Sequence, residues 1–233
     1  MSSNAEGLKR SAAEAAFAYV KSDMVLGLGT GSTVAHLLDL LGEAVGTGVL
    51  SGIVAVPTSV RTETRARELG IELIDLGMHK RLDLTIDGAD EISPTLELIK
   101  GGGGALLREK MVAQASERLV IIADAGKAVD RLGTTFPLPV EVVRWGWRAH
   151  VRFMESWGAE ATVRTATDGS FVESDNGQLL LDCRFPGGID DPGALEAALA
   201  GRAGVVETGL FLGLADEAFV ASEGGVDRIV RAT

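Results

Sequence analysis

The stretch from Lys100 to Lys110, KGGGGALLREK, gathers a lysine, four consecutive glycines and a glutamate at the opening of a helix. A glycine run costs backbone entropy on folding, so it suits a loop that must approach something closely better than it suits a plain linker. The helical pattern over 105–116 turns its free N–H groups and the positive end of its dipole toward the glycines, which favours an anion there. Lys100 adds a full positive charge. Glu109 has Ala105, Leu106, Val112 and Ala113 three and four positions away, so its carboxylate projects from an apolar surface. Partial removal from water raises a carboxylate's pKa toward the range in which it takes and returns a proton. The same residues also fit a glutamate paired with Arg108 or Lys110 at the rim of a packed helix.

The elements that must position these groups are legible in order. A helix over 6–20 carries Lys9 near its start. MVLGLGTGSTVAHLLDLL then gives a short buried strand, a glycine turn and a helix beginning near Ser32, the first half of a βαβ unit. A dinucleotide fingerprint needs a third glycine where this chain has Ser32, and an acid closing the next strand, where it has Pro57, Thr58 and Ser59. Hydroxyls at Thr30, Ser32, Thr33, Thr58 and Ser59, beside two helix N-termini, together fit a phosphate or a polyhydroxylated ligand. Taken singly, each fits helix capping.

A second βα unit, a third strand over 71–76 and a fourth over 82–86 follow, the last running into DGADE. Asp87, Asp90 and Glu91 thus stand at a strand's carboxyl end, the edge where open α/β sheets bind ligands. Three acids there suit a divalent metal, proton transfer or turn capping. His36, His79 and His150 are scattered singly, which disfavours the metal and marks each as structural or surface. A fifth strand over 119–123 ends shortly before Lys127. Hydroxyls, acids and lysines therefore collect at one edge of one sheet, and the expected fold class is α/β, a doubly wound Rossmann-like parallel sheet.

After FPLPVEVV the pattern changes to a helix containing Trp145, Trp147, Phe153 and Trp157, strands over 161–165 and 179–185, a helix over 192–200 and a strand over 205–212. This β-α-β-β-α-β order predicts a smaller α+β, ferredoxin-like domain over 134–212, with 1–133 and 213–233 forming the Rossmann-like domain. The tryptophans suit a core or a subunit interface better than a ligand box. The closing AFVAS and DRIV segments return to the main sheet.

Composition bounds the partners. The 233 residues are 46% hydrophobic and 24% charged, enough for a large core. The net charge of −11 argues against nucleic acid, whose phosphates demand a positive face, while an anionic small molecule needs only a few gathered cations. The one cysteine, Cys183, allows no internal disulfide and no thiolate cluster, and its apolar surroundings in LLLDCRF suit an inert thiol. No apolar run reaches the ~20 residues of a membrane span and the N-terminus lacks a signal-peptide pattern, so cytoplasm is the default.

GLGTGSTV, PTS, DGADEI, KGGGGALLREK and DAGKAVDRLGTTFPLPVEV, in this order and over almost the whole chain, resemble the type A ribose-5-phosphate isomerase family. The resemblance implies a metal-free and cofactor-free enzyme of the non-oxidative pentose phosphate pathway. It would interconvert ribose 5-phosphate and ribulose 5-phosphate, as a homodimer or homotetramer, with no nucleic-acid or membrane partner. It matches Glu109 to the general base, Asp87 to its partner in ring opening and proton movement, and Lys100 to the cation near the developing oxyanion. It matches Thr30, Gly31, Ser32 and Thr33 to the loop that grips the substrate and Asp90 to a second acid. Gly88, Ala89, Gly101 and Gly102 fall among the substrate contacts, and Lys9 and Lys127 match the lysines at the phosphate end. Two departures are local: Gly126 stands where a hydroxyl residue is frequent, and Leu107 where threonine is. A catalytically silent sugar-phosphate sensor, or another sugar-phosphate enzyme of the same fold, is the rival reading. A sensor would normally bring a helix-turn-helix and a basic patch, and an amino-sugar phosphate deaminase or a CoA transferase would not keep DGADE and KGGGG together.

Overall fold

Short apolar runs closed by glycine, proline or an acid become strands, and runs with apolar residues every three or four positions become the helices that cover them. The structure is a computed structural model that describes residues 2–231. In chain order its elements are α1 (Ser2–Phe17), β1 (Val25–Leu28), α2 (Ser32–Gly46), β2 (Val54–Pro57), α3 (Val60–Glu68), β3 (Glu72–Leu73), β4 (Leu84–Asp87), β5 (Glu91–Ile92), β6 (Leu98–Ile99), α4 (Leu106–Gln114), β7 (Leu119–Asp124), β8 (Leu138–Val142), α5 (Arg148–Ser156), β9 (Glu160–Val163), β10 (Leu179–Arg184), α6 (Pro192–Ala200), β11 (Val205–Thr208), β12 (Leu210–Phe211), β13 (Glu217–Ser222) and β14 (Gly225–Val230). They divide into two units. The first comprises the chain up to Ala89, Arg108–Ala128 and the chain from Leu214, and the second comprises Asp90–Leu107 and Val129–Gly213.

The first unit is built on a seven-stranded sheet in the order β3-β2-β1-β4-β7-β13-β14. Every pair is parallel except β13 with β14, which form an antiparallel hairpin at the edge. This is the doubly wound Rossmann order, and its direction reverses between β1 and β4, where such sheets open a crevice for ligands. Leu26, Leu28, Ile86, Val120 and Ile122 of the strands are buried with Leu37 and Leu41 of α2. Ala12, Ala13 and Ala16 are fully buried on α1, small side chains that let this helix lie close to its neighbours.

The second unit carries a four-stranded antiparallel sheet in the order β11-β8-β10-β9. Together with α5 and α6 it is the expected ferredoxin-like β-α-β-β-α-β arrangement. Val140, Val142, Met154, Leu179, Leu181, Leu195 and Leu199 fill its core. A second sheet, β12-β6-β5, is antiparallel and three-stranded.

That small sheet accounts for the main departures from the sequence reading. Residues 90–107, expected with the Rossmann-like domain, fall in the second unit because β5 pairs with β6, β6 pairs with β12, and Ile99 packs against Leu138 and Leu210. The strand expected over 205–212 is broken at Gly209, so that β11 and β12 enter different sheets. The tryptophans flank α5 rather than lying within it: Trp147 and Trp157 are its caps, and Trp145 precedes it at 90% exposure. Among the described residues, no helix is long and apolar enough to cross a membrane.

Candidate functional site

In the first unit, the chain leaving β1 meets the end of β4. Asp87 Oδ1 accepts the N–H groups of Thr30 at 3.0 Å and Gly88 at 2.7 Å, and the residue is only 1% exposed. A Cβ at Gly29 would overlap this carboxylate, which explains the glycine there. The next glycine, Gly31, has φ 143° and stands at the N-cap of α2 without any side-chain cap. The first turn of α2 thus has no side-chain cap at Gly31, and a helix start of this kind favours an anion. Ser32 is exposed and Thr33 buried at this start of α2, while Gly88 and Ala89 follow β4 half-buried.

Three of the five hydroxyls expected to bind are bonded to one another within the fold. The Thr30 hydroxyl lies 2.8 Å from those of Thr58 and Ser59 and 3.1 Å from that of Thr62. Thr62 donates to the Gly29 carbonyl at 2.8 Å, and Ser59 caps α3 by accepting the Thr62 N–H at 3.0 Å. Thr58 and Ser59, 0% and 4% exposed, lock the Gly29–Thr30 turn from behind, so capping and internal bonding prevail over ligand contact for this pair.

Glu109 lies on α4 at 4% exposure, with Val112 and Ala113 buried beside it on the helix as expected. Lys110 is equally buried, whereas Arg108 and Leu107 are half-buried. Lys9, on α1, forms an ion pair with Glu6 at 2.7 Å, and Glu6 also meets His36 of α2 at 3.0 Å. The Lys9 ammonium, and then His36, hold the exposed Glu6 carboxyl below its ordinary range. Lys127 closes a short 3-10 turn directly after β7, in which Asp124 accepts the Gly126 N–H at 3.0 Å. The first unit therefore assembles Thr30–Thr33, Asp87 and its two followers, and Lys127 at the carboxyl edge of the sheet.

The second unit holds Asp90, Lys100 and the glycine loop. Lys100 is 2% exposed at the end of β6; its backbone N–H donates to the Gly209 carbonyl at 2.9 Å, and its Nζ sits 5.5 Å from the centre of the Phe211 ring. Gly101 has φ 99°, and a Cβ there would come within 2.9 Å of the Leu106 side chain. Asp90 Oδ2 accepts the Gly102 N–H at 2.7 Å. Glu91, one of three acids that the sequence offers to a metal, to proton transfer or to capping, takes the capping role. Fully buried, it accepts the Thr135 N–H at 2.6 Å, the Thr135 hydroxyl at 2.7 Å, the Phe136 N–H at 2.7 Å and the Gly133 N–H, and so pins the 133–136 loop.

Two polar residues escaped the sequence reading. Arg164 donates to the carbonyls of Gly101 at 3.3 Å and Gly102 at 3.0 Å, and is itself gripped by Asp182 at 2.9 and 2.5 Å. Neither lies in a local motif, since about 60 residues separate Arg164 from the loop it holds. Of the histidines, His36 meets Glu6, His79 is exposed and His150 is buried against Arg202. Among the described residues, no group of three or more His, Cys, Asp or Glu is placed to hold a metal ion. Cys183 is buried and burial pushes its thiol far up, away from reactivity.

Comparison with known proteins places these features in a family. The family profile described as Ribose 5-phosphate isomerase A (phosphoriboisomerase A) matches residues 54–225. A protein of Chloroflexus aurantiacus named Ribose-5-phosphate isomerase A is 51% identical over 224 residues, covering 96% of this chain and 93% of its own length. A ribose 5-phosphate isomerase structure from Plasmodium falciparum superposes with a TM-score of 0.94 at 36% identity, covering 98% of this chain and 100% of that one. A D-ribose-5-phosphate isomerase solved in complex with phospho-erythronic acid gives a TM-score of 0.94 at 38% identity, covering 97% of this chain and 99% of that one.

Proposed function

The chain belongs to the ribose-5-phosphate isomerase A family, and from that membership we propose that it interconverts D-ribose 5-phosphate and D-ribulose 5-phosphate by acid-base proton transfer through an enediolate. The observation that carries the residue assignments is the burial of three charged side chains, Asp87 at 1%, Lys100 at 2% and Glu109 at 4% exposure. All three are charged groups taken almost wholly out of water, at the positions that the resemblance gives to the chemistry.

In the aldose-to-ketose direction, Glu109 removes the proton on C2 and the C1 carbonyl oxygen gathers negative charge. The C2 hydroxyl proton passes to the C1 oxygen, the Glu109 carboxyl delivers its proton to C1, and the C2 carbonyl of the ketose forms. One carboxylate serves as base and then as acid. Lys100, with the glycine-loop N–H groups, supplies the preorganised positive field that an enediolate requires. Asp87, held by the Thr30 and Gly88 N–H groups, carries the proton between oxygens when the furanose ring opens. Thr30, Gly31, Ser32 and Thr33 hold the substrate hydroxyls, Asp90 orients Gly102, and Lys9 and Lys127 hold the phosphate. Metal has no part in this scheme, the protein works in the cytoplasm, and it assembles as a homodimer or homotetramer.

The test is conversion of ribose 5-phosphate to ribulose 5-phosphate by chelator-treated protein, with phospho-erythronic acid as competitor. Its carboxylate mimics the enediolate and its phosphate that of the substrate, and a relative is solved with it bound. Turnover that survives the chelator and is inhibited competitively is expected. Binding of ribose 5-phosphate without turnover would reduce the protein to a sensor.

A further inference from the structure

Arg164 ties the ferredoxin-like sheet of the second unit to the glycine loop by hydrogen bonds. Arg164 follows β9, and Asp182 lies on β10, so the two belong to adjacent antiparallel strands. Asp182 takes Arg164 Nε at 2.9 Å and Nη2 at 2.5 Å, a two-point grip that fixes the plane of the guanidinium. The remaining nitrogen, Nη1, then meets the carbonyl oxygens of Gly101 at 3.3 Å and Gly102 at 3.0 Å. Both residues are largely shielded, with side-chain exposures of 16% for Arg164 and 25% for Asp182.

The consequence follows from peptide geometry. In a trans peptide the C=O and N–H point in opposite directions, and the described chain contains no cis bond. Two carbonyls drawn to one guanidinium therefore send the N–H groups of Gly102 and Gly103 the other way. The Gly102 N–H goes to Asp90 Oδ2 at 2.7 Å. The Gly103 N–H belongs to the exposed residue of the loop, next in line after Lys100 and its two following glycines. A cation on the carbonyl side of a peptide also polarises its N–H and strengthens it as a donor.

We propose that Arg164, oriented by Asp182, is a positioning residue for the isomerisation: it sets and polarises the glycine-loop peptides so that the loop offers a backbone N–H to the oxygen that becomes negative in the enediolate. This rests on the isomerase function above. A lysine at 164 keeps the charge opposite Asp182 but has one nitrogen where arginine has a planar fork, so it cannot hold the carboxylate and both carbonyls at once.

The experiment measures kcat, KM and thermal midpoint for Arg164→Lys and Asp182→Asn beside wild type, and repeats kcat for Arg164→Ala with and without millimolar methylguanidinium. A donor that strengthens only in the transition state lowers kcat and leaves KM nearly unchanged. A fall in kcat of roughly 10-fold to 100-fold is expected for Arg164→Lys, below the loss for removing an oxyanion donor outright. Asp182→Asn should show a smaller fall of the same kind, and methylguanidinium should restore part of the Arg164→Ala loss without affecting wild type. Wild-type kcat in either folded variant, or a rise in KM alone, would overturn the positioning role. An inactive wild type would instead overturn the isomerase function, so the two failures are distinguishable.

Discussion

Burying an ionised side chain costs several kcal/mol unless charge or hydrogen bonds compensate it. Lys100 is 2% exposed, with the Phe211 ring for a neighbour, and in the proposed reaction its charge stabilises the enediolate. Lys100→Met keeps the length and apolar stem and removes the charge, so kcat should fall by roughly 10²-fold to 10³-fold, as for loss of an electrostatic stabiliser, while the fold survives; steady-state kinetics with a melting curve checks it. His150 is a structural case. Burial first, and then the Arg202 charge, push its pKa below the ordinary 6.5. The unfolded chain therefore binds a proton that the folded chain refuses as pH drops through 6.5, so stability is full above that value and declines below it. Denaturant midpoints from about pH 7.5 to pH 5 should fall, and His150→Gln should flatten that part of the decline. Single residues such as Glu109 were readable in sequence because their neighbours at helical spacing are apolar. For Glu91 the sequence left metal, proton transfer and capping open, because the amides it accepts, those of 133–136, lie some 40 residues away and carry no side-chain signature.

At the level of elements, what was legible depended on length. β7, α2 and α6 carry enough periodic or continuous apolar residues to announce themselves, and α6 is found over the expected 192–200. β3, β5, β6 and β12 have two residues each, too few for any period to show, and three of them make the small sheet that redraws the domain boundary. Gly209, where β11 gives way to β12, has a backbone reason that only the structure gives: a Cβ there would overlap the Lys100 carbonyl. Glu91 tests the small sheet most sharply, because it joins β5 to the 133–136 loop through four donors. Glu91→Ala would strand buried N–H groups and should cost about 3 kcal/mol of stability. Chemical denaturation of the purified variant measures this, and a change under about 0.5 kcal/mol would mean that water or another group replaces the carboxylate.

For the whole molecule, the sheet order β3-β2-β1-β4-β7 follows from reading each βα unit in sequence, since successive right-handed crossovers leave few alternatives. Its switch point puts the Gly29–Thr33 turn and Asp87 at adjacent strand ends, the sheet edge at which the sequence had placed both. The part it could not locate is the support behind the loop, Arg164 and Asp182, brought to the glycines by strands of a different sheet. The central claim is that the family's reaction is carried out here by proton transfer with Glu109 as the base. Its most direct test is the deuterium content at C1 of ribulose 5-phosphate formed from ribose 5-phosphate in D2O, measured for wild type and Glu109→Gln. Wild-type product carrying solvent deuterium at C1, with the variant slowed roughly 10²-fold to 10⁴-fold, is the predicted result. A variant turning over at the wild-type rate, its product as deuterated as the wild type's, would contradict Glu109 as the base.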